Sequence, residues 1–373
     1  MEIGKIMTFI KIHKGFFFIM LLFLFSSCLK DDDLNLPYVS YKPVDIGDGL
    51  ELSSPADEQM DSVALDAVYK EVYTDDNFWS LRSLLVFRNG KLVSEAYLKS
   101  ESDITTKHLI WSCTKQVMGI LTGIAIEKGL IADVDDSISN YFDTELINHQ
   151  DKSAITIRNL ITMRSGIDYN NDGLGAETDK LLRQIPDNSV DFILSLPVNA
   201  AQGTVFHYND GNPHLMSAII QKMAGEPTDE WADEVFFSKI EMRNYSWVRY
   251  KDGITFGGFG IETTPRELAK IALCIADSGR WKGRQVINSD WISQMTSPQV
   301  KDVNSDYYFG YFWWIDTKRV IYFMWGHGGQ YAFIVPAKNL VVVMTSIPNT
   351  QGDYQIQADE AFQVVDKIID ATL

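Results

Sequence analysis

The chain has 373 residues, enough for one large domain or two, and 46% of them are apolar and 12% aromatic, the make-up of an ordinary globular protein. A formal charge of −17 argues against nucleic acid or an anionic lipid surface as a partner. No Gly-rich phosphate loop, dinucleotide fingerprint or zinc-type Cys/His cluster occurs, so no cofactor and no metal is expected.

The first 27 residues read as a signal peptide. Lys5, Lys11 and Lys14 give a positive start, Gly15–Phe25 is an apolar run too short to span a bilayer, and Ser26-Ser27-Cys28 follows. A small-residue pair before a cysteine resembles a bacterial lipoprotein signal, cleaved ahead of Cys28, whose lipid would anchor the protein in the cell envelope. The expected location is the outer membrane, on its periplasmic face or at the cell surface. The acidic run Asp31-Asp32-Asp33 fits either a surface-display tag or a plain solvated spacer. Residues 28–53 lack clear periodicity and are expected to be a tether, leaving 54–373 as the folded domain.

Ser54-Pro55 is expected to open a helix that runs to about Tyr73. Ser83–Tyr97 reads as a hairpin turning on Asn89-Gly90, a pair suited to positive φ. Ser112–Lys128 follows as a strongly helical run stopped by Gly129. From about 130 to 300 the signals are mostly short helices and loops, including Thr156–Met163, Asn212–Met223 and Arg266–Ala276. Tyr308–Asp316, Val320–Trp325, Tyr331–Pro336 and Leu340–Ile347 read as antiparallel strands, and Gln355–Leu373 as a closing amphipathic helix. The pattern predicts one antiparallel sheet built from both ends of the chain, flanked by helices, with a mostly helical insertion in the middle.

Three segments look chemical. Ser112-Cys113-Thr114-Lys115 sits at the mouth of a helix, where residues three apart share a face, so the Lys115 amine can meet the Ser112 hydroxyl and take its proton. Unpaired N–H groups at the same helix start can face an oxyanion. A second Ser-x-x-Lys, Ser27 to Lys30, straddles the proposed cleavage point and drops out. Tyr208 stands just ahead of a helix, where a phenol beside a lysine can relay protons. Trp325-Gly326-His327-Gly328-Gly329-Gln330 joins two predicted strands; its glycines let a substrate lie against a strand edge, although a plain Gly-rich turn has the same composition.

In this order the three segments resemble the serine β-lactamase/penicillin-binding-protein superfamily, in particular the class C β-lactamase-related hydrolases that include D-aminopeptidases, esterases and 6-aminohexanoate-dimer hydrolases. The resemblance runs from about Ser83 to Ile369 and includes supporting segments at Ile110–Phe142, Ile157–Ile167, Gly257–Cys274 and Tyr308–Trp314. It implies an α/β (α+β) sandwich of the β-lactamase/DD-peptidase type. It also implies Ser112 as acylated nucleophile, Lys115 and Tyr208 as its base, and the N–H groups of Ser112 and Gln330 as oxyanion hole. His327, Gly328, Gly329 and Asp210 would contact a small-molecule or peptide substrate.

Two departures from that family's pattern matter. A literal Tyr-x-Asn occurs at Tyr169-Asn170-Asn171, yet Tyr208, which follows Gly203-Thr204 and precedes a helix, is the better match; Asp210 then replaces the asparagine. A carboxylate there favours the charged form of Lys115. His327 stands where a lysine usually anchors a substrate carboxylate, which favours an esterase, amidase or peptidase over an efficient β-lactamase. A catalytically silent envelope-binding protein of the same fold is the rival from another class; the intact Ser112, Lys115 and Tyr208 argue against it. His13, His108, His149, His207 and His214 form no metal spacing and read as structural, and Cys113 and Cys274 as buried free thiols.

Overall fold

The computed structural model describes residues 35–171, 188–348 and 355–373. The proposed signal peptide, Cys28, the acidic run and most of the loop 168–183 lie outside the described residues. The predicted hairpin forms as Leu81–Arg88 and Lys91–Tyr97, with Asn89 and Gly90 at φ 53° and 81°, the paired positive values that a tight two-residue turn needs. Leu81–Arg88 pairs on its other side with Leu340–Ser346, uniting the two ends of the chain. The sheet continues through Gln330–Val335, Ile321–Gly326, Trp314–Asp316, Tyr308–Phe309 and Val300–Lys301, antiparallel throughout. Every residue of its three central strands is buried, so both faces are covered.

The closing helix, Ala358–Asp370, sets Phe362 against Tyr307, Phe323 and Phe333 of the sheet. It packs beside Ser62–Thr74, and Met60 pairs with Thr372, so the first and last helices among the described residues are one unit. The middle of the chain is largely helical, as expected, with one exception to its boundaries. Pro265–Ala276, opened by the Thr264 cap, packs on the sheet strands Leu340–Ser346 and Gln330–Val335.

Three expectations need correction. The first helix starts at Ser62, not Ser54, because Asp61 caps it by accepting from the N–H groups of Val63 and Ala64, while 54–60 forms turns. Tyr308–Asp316 is two short strands, because the chain folds back between them with Phe312 at φ 62° and its N–H bonded to Ile161 O. The expected tether is, over residues 35–53, a strap along Lys91–Tyr97, the edge strand of the sheet. Leu36 N donates to Leu98 O, Glu95 N to Tyr41 O, Leu92 N to Glu51 O and Ser53 N to Leu92 O. An uncovered edge strand exposes unpaired backbone groups, and the strap satisfies them.

Arg266 locks the strap in place. Its guanidinium donates to Glu95 at 2.9 Å, to Asp48 at 3.1 Å and to Val44 O at 2.6 Å, and it is fully buried. Removing it leaves the buried Glu95 without its counter-charge. Arg266→Met is expected to lower unfolding free energy in urea by about 3–5 kcal/mol and to open residues 35–53 to limited proteolysis. Unchanged stability and protection would mean the strap is held some other way.

Candidate active site

The helix Cys113–Glu127 carries the first two candidate residues. Everything from Cys113 to Ala125 is buried, because the helix runs between the sheet and the helical region instead of along the surface. Two glycines permit this depth: a Cβ on Gly119 would meet Tyr311 O at 2.5 Å, and one on Gly123 the Trp291 ring at 2.2 Å. Ser112 occupies the cap position but makes no side-chain capping bond. Its hydroxyl therefore stays available to other partners.

Lys115 Nζ donates to Ser112 Oγ at 2.8 Å and to Gly258 O at 2.8 Å, and forms an ion pair with the Asp210 carboxylate. Two hydrogen-bond acceptors and one counter-charge thus surround the ammonium group. Its Nζ also lies 4.8 Å from the centre of the Tyr208 ring. Burial works against the charge on Lys115, but Asp210 and then Tyr208 outweigh it, and the pKa is pushed up to about 12. Burial also raises the pKa of Tyr208, against the opposing pull of Lys115, while its phenol interacts with both Ser112 and Lys115. The resting site thus holds an ammonium, a carboxylate and a neutral phenol.

Tyr208 precedes the helix Gly211–Ala224, as expected, and Phe309 and Trp314 of the sheet pack around its ring at 6.0 and 5.5 Å. Tyr169, the rival from the literal motif, is buried beneath Gly211, and neighbouring Asn171 accepts from Asp210 N. The structure thus brings Tyr208, not Tyr169, to Lys115. His327, Gly328 and Gly329 form the turn between Ile321–Gly326 and Gln330–Val335, with both glycines at positive φ. His327 is exposed and edge-on to Trp111 at 5.5 Å, and Gln330 O accepts from Cys113 Sγ at 3.4 Å. The residues on either side of Ser112 therefore touch the two ends of this turn. Both thiols are buried and free, and burial pushes Cys274 up to about 12.

Two participants were not read from the sequence. Gly258 supplies the second hydrogen-bond acceptor for Lys115 through its backbone carbonyl, which carries no side-chain signature. Trp111 adopts φ 48°, rare for a bulky residue, and is held there by its indole N–H bond to Pro348 O and by ring contacts to His327 and Phe259. Each described histidine has a partner: His108 meets Asp103, His149 Asp191, His207 the Tyr169 carbonyl, His214 the Ser189 hydroxyl and His327 the Trp111 ring.

The sequence profile of the Beta-lactamase family matches residues 82–365. The chain belongs to the Beta-lactamase family. A 6-aminohexanoate-dimer hydrolase from Paenarthrobacter ureafaciens is 20% identical over 60% of this chain, and the chain spans 59% of that relative's length. A Bacillus anthracis structure assigned as a 6-aminohexanoate-dimer hydrolase shares 21% identity and a TM-score of 0.68, over 81% of this chain and 80% of that one. A class C beta-lactamase shares 16% identity and a TM-score of 0.64, over 87% and 99%. The β-lactamase/DD-peptidase fold read from the sequence is therefore the fold of this chain.

One contact in this Beta-lactamase-family site is directly testable. A Cβ on Gly326 would stand 2.2 Å from Ile110 O, two residues before Ser112. Gly326→Ala is expected to push the turn away from the serine and cut Ser112 labelling by a fluorophosphonate more than about tenfold, with a cooperative melt retained. Labelling at the wild-type rate would show that the two segments move independently.

Proposed function

We propose that the protein is a serine hydrolase working through an acyl-enzyme on an ester, an amide or a D-amino-acid peptide. The 2.8 Å hydrogen bond from Lys115 Nζ to Ser112 Oγ, with Tyr208 against the same ammonium, is the observation that carries this reading. Once the Lys115–Tyr208 pair has lost one proton to solvent, Ser112 Oγ attacks the carbonyl while its own proton passes to that vacancy in the pair. The ammonium stabilises the developing alkoxide, and the N–H groups of Ser112 and Gln330 receive the oxyanion. The pair then protonates the leaving group, and water, activated by the same pair, releases the acyl group and restores the serine. The name of the Paenarthrobacter ureafaciens relative supports an amide substrate as one member of this class. We further propose export and a lipid anchor at Cys28, which the leader sequence supports.

Two measurements test the reading. The protein from residue 29 onward is expected to gain the mass of a fluorophosphonate adduct, and Ser112→Ala to gain none. A folded wild type that stays unlabelled by a fluorophosphonate, a short-chain activated ester and a β-lactam alike would favour the silent binding protein. The pH profile is the second. Lys115 and Tyr208 both have raised pKa values, so the pair gains its ability to accept a proton only as pH rises. The kcat/KM for 4-nitrophenyl acetate should climb through the alkaline range. Asp210→Asn removes the carboxylate that raises Lys115 and should move the rising limb to lower pH; a limb that stays in place counts against this assignment.

A further inference from the structure

We propose that Asp210 makes this site select acyl donors whose acyl chain carries no carboxylate, an inference that rests on the acyl-transfer reading above. The sequence replaces an expected asparagine with a carboxylate, and the fold leaves that carboxylate little freedom. Asp210 is more than nine-tenths buried, and a Cβ on Gly258 would lie only 2.7 Å from Asp210 Cβ and 2.9 Å from its Cγ. The side chain is wedged between the Gly257-Gly258 backbone and Lys115. Its Oδ1 is buried and has no hydrogen-bond donor of good geometry among the described residues; the charge of Lys115 is what holds it.

Two successive short contacts, Ser112 to Lys115 and Lys115 to Asp210, put the carboxylate within roughly 5 Å of the nucleophile. There it cancels the cation that would otherwise attract an anionic substrate. The other titratable groups facing it do not restore positive charge. Burial raises the Cys113 thiol and the Tyr208 phenol, so both stay neutral. His214, behind Asp210, has its pKa lowered to about 4 by burial and is uncharged as well. His327 in the facing turn is exposed to water, and the whole chain carries −17. An acyl chain bearing a carboxylate would enter a site where a fixed carboxylate already waits and where, among the described residues, Lys115 is already paired to it.

The test uses 4-nitrophenyl hexanoate and the mono-4-nitrophenyl ester of adipic acid, equal in length and differing only in the terminal carboxylate, with uncatalysed hydrolysis subtracted. Wild type is expected to favour the hexanoate by about a hundredfold in kcat/KM, and Asp210→Asn to shrink that preference at least about tenfold. Asp210→Ser serves as a second variant. The ratio isolates charge recognition, since loss of packing or of proton transfer slows both esters together. A wild-type ratio near one, or a ratio unchanged in both variants, overturns the inference. Fluorophosphonate labelling of Ser112 separates the two failures: labelled wild type with an unmoved ratio sinks this inference alone, whereas unlabelled wild type sinks the acyl-transfer reading and this inference with it. If both variants fold but neither is labelled, Asp210 serves the nucleophile itself and the selectivity inference falls.

Discussion

The site depends on keeping one ammonium group in a dry interior. A lysine amine removed from water loses its hydration, and burial alone would drive it to the neutral form. Lys115 remains charged because Ser112 Oγ and Gly258 O each accept one of its N–H bonds and the Asp210 carboxylate faces it as counter-charge. Those partners come from three separate stretches of chain: the serine helix, the entry to the Gly211–Ala224 helix and the loop around Gly258. Solvating one buried cation therefore fixes the relative positions of the segments that make up the site.

Much of the fold serves that convergence. The serine helix is buried nearly all round, and Gly119 and Gly123 let it approach Tyr311 and Trp291 without collision. Gly326 does the same where the strand edge meets the backbone ahead of Ser112. At the far side of the sheet the strap and Arg266 close the edge strand Lys91–Tyr97, protecting the layer that carries the Gln330 strand. Backbone contacts this short tolerate no added methyl group, so the glycines are geometric requirements rather than flexible points.

The same constraint sets the electrostatics. Asp210 compensates Lys115 so fully that the pair is close to neutral as a unit, and neutral Tyr208, Cys113 and His214 surround it. A site with an uncompensated cation would draw anions toward the serine. Here the ion pair is charge-balanced and lies beside the ring of Tyr208, against which Phe309 and Trp314 pack. In the proposed acyl-transfer reading, chemistry and selectivity would be two consequences of one ion pair.

The sequence by itself determined the hairpin at Asn89-Gly90, the serine helix, the closing strands and the pairing of Ser112 with Lys115, because each rests on short-range rules: turn residues that accept positive φ, helical spacing and alternating burial. The order of the motifs was also enough to point to the family. Tertiary structure decided what depends on segments far apart in the chain. The residues around 35–53 look like a solvated spacer, since their partners are the backbone of a strand some fifty residues on and the guanidinium of Arg266. The break inside Tyr308–Asp316 comes from a bond to Ile161, which no local pattern encodes. The second hydrogen-bond acceptor of Lys115 is a backbone carbonyl, identical in every residue and therefore invisible until the chain is folded.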